Sequence, residues 1–184
     1  MRMLKWLATS VALVAFGLSP AVAADKAKQD EVLKAAQTSL ADFYKADPKL
    51  KGAVEAAPGY AVFTTFGISF LVGGAGGKGV VHDNKTKKNT FMELAQASAG
   101  LQIGAADTRY LFVFDTPASM QQFIDKGWDA QASASAGAGA GDKGSASASV
   151  GTFTGGKYYQ LTKSGLQAGV AAAGTKVWKD KDLN

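Results

Sequence analysis

The chain contains no cysteine and only one histidine, His82. Without thiols there is no disulfide framework, no thiol chemistry and no N-terminal Cys to carry a lipid anchor. With one imidazole, a zinc or similar metal site would need carboxylates for nearly every other ligand. The Asp and Glu residues are scattered singly, and no pair is placed for acid/base work on a glycoside. A strong charge of one sign is missing too. The formal net charge of +5 falls to +3 without Arg2 and Lys5 of the leader described below. Such a balance permits attraction to anionic lipid head groups, but it is far from the dense basic stripe of a nucleic-acid binder. Beyond the first two dozen residues, no segment is long and apolar enough to span a bilayer as a helix.

The opening residues, MRMLKWLATSVALVAFGLSPAVAADK, combine a basic start, an apolar core from Trp6 to Leu18, Pro20 and a small-residue Ala21-Val22-Ala23 site. This pattern reads as a secretory signal, residues 1–23, cut before Ala24. An uncleaved anchor is the other reading, but a spanning helix needs roughly 20 apolar residues and this run is shorter and ends in Ser-Pro. About 160 residues then remain as one domain, 24–184, large enough to bury a core. Export puts the protein in the periplasm, associated with the envelope or secreted.

Val32, Leu33, Ala36, Leu40, Phe43 and Tyr44 recur at helical spacing, with Lys28, Asp30, Lys34 and Asp42 on the remaining faces. The spacing predicts an amphipathic helix ended by Asp47-Pro48, whose apolar stripe either covers a sheet or lies on a membrane. Pro48 opens a second short helix through Ala57, closed by Pro58-Gly59. From Tyr60 the residues turn aromatic and β-branched, and GKGVVHD follows a glycine cluster, so a hairpin is expected with its next turn at His82 to Lys85. At least two more strands fall between Asn89 and Asp115. Thr116-Pro117 starts a third helix, with Met120, Phe123 and Ile124 on one side and Gly127 at its end. Two further strands finish the chain. These signals describe an α+β domain in which helices cover a curved, mostly antiparallel sheet or barrel-like core.

Two chemical motifs fail on context. Gly74 to Gly79, GAGGKG, fits G-x-G-x-x-G, yet Val80, Val81 and a polar turn follow where a phosphate-binding helix should open, so a glycine-rich hairpin loop is expected. His82 and Asp83 are neighbours on a strand and point to opposite faces, and no G-x-S-x-G elbow is present, so a hydrolase triad has no support. No catalytic residue and no cofactor is assigned.

Residues 132–150, ASASAGAGAGDKGSASASV, look like a flexible linker but carry alanine at 132, 134, 136, 138, 140, 146 and 148, with Val150 closing the series. A three-residue loop, Asp142-Lys143-Gly144, pairs Ala140 with Ala146, Ala138 with Ala148 and Ala136 with Val150. The pattern predicts a hairpin with alanines on one face and Ser/Gly on the other.

Five landmarks occur in one order: FYKADPKLKGAVEAAPGYAVF, GGAGGKGVV, SAGLQIGAADTRYLFVF, GWDAQASASAGAG and SGLQAGVAAAGTKVWKD. Together, from about Leu33 to Lys179, they resemble the SYLF-domain family of lipid-binding domains. Thr64, Ala106 and Ala173 depart from the pattern, the last two replacing polar residues. The resemblance implies a non-enzymatic lipid-binding protein of the bacterial envelope, contacting anionic phospholipid or a membrane surface and no nucleic acid. The candidate contacts are Lys26, Lys28, Lys34, Lys45, Lys49 and Lys51. A structural or envelope-protein-binding module is the alternative.

Overall fold

The computed structural model describes residues 20–70, 74–97, 108–130, 151–162, 165–167 and 175–184. The leader core, the GLQIG segment at 100–104 and the predicted hairpin at 132–150 lie outside the described residues. Among the described residues, three helices and a curled antiparallel half-barrel form an α+β fold. The order is α1 (Pro20–Ala46), α2 (Lys49–Ala56), β1 (Gly59–Phe70), β2 (Gly74–Asp83), β3 (Asn89–Ala97), β4 (Arg109–Phe114), α3 (Pro117–Lys126), β5 (Trp128–Asp129), β6 (Gly151–Phe153), β7 (Gly156–Thr162), β8 (Gly165–Gln167) and β9 (Thr175–Lys179). In space the strands run β5-β9-β3-β2-β1-β4-β7-β6, with β8 also on β7. The tail therefore holds three strands where two were expected, because β7 and β8 are separate arms of one hairpin.

Side-chain alternation divides the core into two layers. On one face of the sheet, Ala61, Phe63, Val81, Met92, Tyr110, Phe112, Phe114, Tyr158 and Val177 pack under Met120 and Phe123 of α3. Phe112 is the hub, its ring centroid 5.2 Å from Phe123, 5.1 Å from Trp128 and 5.6 Å from Phe153. On the other face, Val62, Val80, Leu111, Val113, Tyr159 and Leu161 meet Ala36 and Phe43 of α1 and Leu50 and Val54 of α2. The amphipathic stripe of α1 thus covers the sheet, and Ser39 adds a 2.9 Å hydroxyl contact to Thr64.

The ends of the helices follow their sequence signals. Asp47 Oδ1 accepts from the Lys49 amide at 2.9 Å just before α2. Thr116 and Ser119 form a reciprocal capping box on α3, and Gly127 ends that helix at φ +73°. A side chain at Gly127 would run into the Val177 carbonyl.

The glycine cluster is corrected by the structure. Gly74, Gly76, Gly77 and Gly79 lie inside β2 and not in a loop, paired with β1 on one side and β3 on the other. The physical reason is close packing: a Cβ on Gly77 would sit 2.6 Å from the Thr64 carbonyl oxygen, and one on Gly79 would strike the Phe63 ring and the Val62 carbonyl. Glycine lets the β1 backbone and its aromatic ring close over β2.

Candidate functional site

All six lysines singled out from the sequence are exposed on α1 and α2. They do not gather into a stripe. Within α1, Lys26, Lys28, Lys34 and Lys45 alternate with Asp25, Asp30, Glu31 and Asp42, so the helix carries no net charge. Lys45 lies 3.3 Å from Asp42, which also accepts from Arg109 at 2.7 Å.

A clearer basic concentration forms at one end of the molecule. The Asn84 side chain donates to the Val54 carbonyl at 2.7 Å and the Ala57 carbonyl at 2.9 Å, tying the β2–β3 turn to the end of α2. The turn exposes Lys85, Lys87 and Lys88, and α2 contributes Lys49 and Lys51. Asp83 is engaged by the turn itself: its Oδ1 accepts from the amides of Thr86 and Lys85 at 2.9 and 2.8 Å. Those bonds, the Thr86 amide foremost, hold its carboxyl below the usual range. Sequence reading missed these three lysines because only the fold brings the turn to α2. The neighbouring His82 spends Nδ1 on Asn89 Oδ1 at 2.7 Å, across the strand pair.

The second feature is a cleft of about 510 Å³ between the first half of α1 and strands β2, β3 and β9. Register builds its floor, since Lys78 pairs with Glu93 and Glu93 with Trp178, placing three side chains in one row. Lys78 Nζ reaches Glu93 Oε1 at 3.1 Å and Asp180 Oδ2 at 2.6 Å, and Trp178 Nε1 donates to Glu93 Oε2 at 2.7 Å. Gly76 and Ala95, paired across β2 and β3, continue the same face of the sheet, while Lys28, Glu31 and Val32 of α1 form the opposite wall. Trp178 is 41% exposed and is the one exposed large hydrophobic residue among those described.

Charge inside the cleft is held in a network. Burial alone would push the Asp180 carboxyl up, but Lys78 and the amides of Asp182 and Leu183 outweigh it and keep the group below its ordinary value. Lys78 moves the other way. Its partial desolvation is overcome by Asp180 and Glu93, and the ammonium is held above its ordinary value.

The C-terminus then clasps α1. Leu183 is buried with Val32 and Phe91, and its carbonyl accepts from Gln29 Nε2 at 2.9 Å. Asn184 continues the pairing of β3 by accepting from the Phe91 amide at 3.0 Å and donating to the Phe91 carbonyl at 2.8 Å. Of the residues around the cleft, the sequence reading had named only Lys28 as a contact. Lys78 was hidden in a glycine run and Trp178 in a charged tail, and no linear spacing relates them.

Among the described residues no helix is long and apolar enough to cross a membrane. Comparison with known proteins gives a family match and a relative. Residues 95–184 match the family described as Ysc84, Las17-binding protein actin regulator. Beta cell expansion factor A of Aeromonas veronii is 29% identical over 149 residues, which are 80% of this chain and 56% of that protein. The chain thus spans little more than half the length of that relative. The family match starts later than Leu33, where the sequence resemblance begins, but it takes in β4, α3 and the Trp178–Asp180 wall of the cleft. Over residues 95–184 the chain is thus similar to the SYLF-domain (Ysc84) family.

Proposed function

We propose that the protein is a non-enzymatic, lipid-binding protein of the bacterial envelope, exported by its leader, that docks on anionic membrane surfaces with the basic end made by α2 and the β2–β3 turn. The supporting observation is the Asn84 link, which joins Lys49 and Lys51 to Lys85, Lys87 and Lys88 at one end of the fold. Each lysine near an anionic surface contributes on the order of 1 kcal/mol, less with added salt. Asp47, Glu55 and Asp83 offset part of this, leaving a local excess of positive charge. The four lysines of α1 contribute little because four carboxylates are interleaved with them. Neither the family description nor the relative's name denotes an enzyme.

Co-sedimentation with phosphatidylglycerol and phosphatidylcholine vesicles across a salt series tests the reading. Binding is expected to the anionic vesicles alone, to fall with salt, and to vanish on changing Lys85, Lys87 and Lys88 together to Glu. Changing Lys26, Lys34 and Lys45 to Glu should reduce it much less. No sedimentation with anionic vesicles at low salt would refute docking. The family description, which names binding to a protein, favours a second reading as a partner-binding module. Recovery of one defined envelope protein, with no vesicle binding, would select it.

A further inference from the structure

We infer that the cleft between α1 and strands β2, β3 and β9 binds the acyl chain of a zwitterionic, single-chain phospholipid with a phosphoethanolamine head; this deepens the lipid-binding reading and rests on it.

Size comes first. A methylene occupies about the volume of a water molecule, roughly 30 Å³, so a cleft of about 510 Å³ is on the scale of one acyl chain. The lining suits a hydrocarbon. On the sheet face turned to α1, Gly76, Ala95 and Trp178 line it, with Val32 opposite. A Cβ on Gly76 would meet nothing within 4 Å, so the missing side chain leaves space there. An indole 41% exposed beside such a cleft is the arrangement a chain would cover.

The charges select the head group. Lys78 is already neutralised by Glu93 and Asp180, so it offers no cation to a ligand. At the mouth, Lys28 and Glu31 stand about one helical turn apart on α1, both exposed. Among the described residues neither forms an ion pair, and their signs are opposite. A phosphate placed at Lys28 puts a primary ammonium within reach of Glu31, where it donates hydrogen bonds that a quaternary choline cannot. A purely anionic head would meet Lys28 but also Glu31, with Glu93 behind it.

The purified full chain is titrated with lysophosphatidylethanolamine, lysophosphatidylglycerol and lysophosphatidylcholine, each below its micelle concentration. Trp178 emission is read against Trp178→Phe, and native mass spectrometry gives stoichiometry. A one-to-one complex is expected, tightest with the ethanolamine head. Gly76→Leu and Ala95→Leu, which fill the cleft from adjacent strands, should abolish it in proteins of unchanged circular dichroism. Glu31→Lys, at an exposed helix position, should weaken ethanolamine binding about fivefold and bring the glycerol head to parity or better. Gly76→Leu should still sediment with phosphatidylglycerol vesicles, whereas the Lys85/Lys87/Lys88 triple variant should still bind the lysolipid, so the two readings fail separately. The inference is overturned by the absence of a one-to-one complex, by equal affinity for the ethanolamine and glycerol heads, or by unchanged binding in the filled variants.

Discussion

Asp180→Asn isolates the charge of the cleft network while keeping its shape. The side chain is 1% exposed. Its Oδ1 accepts from the amides of Asp182 at 2.9 Å and Leu183 at 3.1 Å, and Oδ2 accepts from Lys78 Nζ at 2.6 Å. Asparagine retains the first acceptor but turns an NH₂ donor toward an ammonium donor. A charge-assisted hydrogen bond contributes about 1.5–3 kcal/mol. The lower half of that range applies, because Lys78 is 38% exposed and keeps Glu93 at 3.1 Å. The expected loss is about 2 kcal/mol, which lowers Tm by about 4–8 °C for a chain of this size.

The pH dependence gives the sharper check. The native carboxyl titrates below the unfolded one, so its contribution is complete above the unfolded value of 3.8 and is lost as pH falls through the lower native value. Urea unfolding of both proteins should therefore show the full difference at pH 7 and a difference that shrinks as pH falls below the unfolded value of 3.8. A variant within about 0.5 kcal/mol of the parent at pH 7, or a gap that persists unchanged into strong acid, would refute the assignment.

Two glycine substitutions should act in opposite directions. Gly79→Ala drives a methyl into the Val62 carbonyl and Phe63 ring, costing about 3 kcal/mol in urea unfolding, whereas Gly52→Ala, with open space in exposed α2, should add about 0.5–1 kcal/mol. Lys87 adopts φ +60°, so Lys87→Gly should stabilise by about 0.5–1 kcal/mol while weakening anionic-vesicle sedimentation through the lost charge. Thr65 Oγ1 donates to the Thr108 carbonyl at 2.8 Å and accepts from its amide at 3.0 Å, and Thr65→Val should cost about 2 kcal/mol by chemical denaturation.

Local chemistry made most of the fold legible. The 3.6-residue recurrence of Val32, Ala36 and Phe43, the Thr116-Pro117 start and the Asp47-Pro48 stop each act within one or two turns of chain, and each appears where its spacing places it. The glycine run was misplaced because a local reading treats glycine as a turn former. Here its role is set by Phe63 and Thr64 of the paired strand, more than ten residues away. The site was the least legible part. Lysines were countable in α1, but whether they form a field depends on the carboxylates between them and on which turn the fold lays beside α2. The row Lys78, Glu93 and Trp178 exists only through the register of three strands drawn from distant parts of the chain.

The anchoring of α1 explains why an open space survives beside it. Its second half is pinned by Phe43 in the larger core layer, by Ser39 on Thr64 and by Asp42 on Arg109. The first half rests on a smaller contact, Val32 against Phe91 and Leu183, with Gln29 bonded to the Leu183 carbonyl. Beyond that contact the strands carry glycine and alanine at Gly76 and Ala95, too small to reach the helix, so close packing is not completed there. Asp180 fixes the turn that delivers Leu183 and at the same time neutralises Lys78. One buried carboxylate therefore sets both how firmly the helix is held over the sheet and how little net charge the cleft wall presents to an acyl chain.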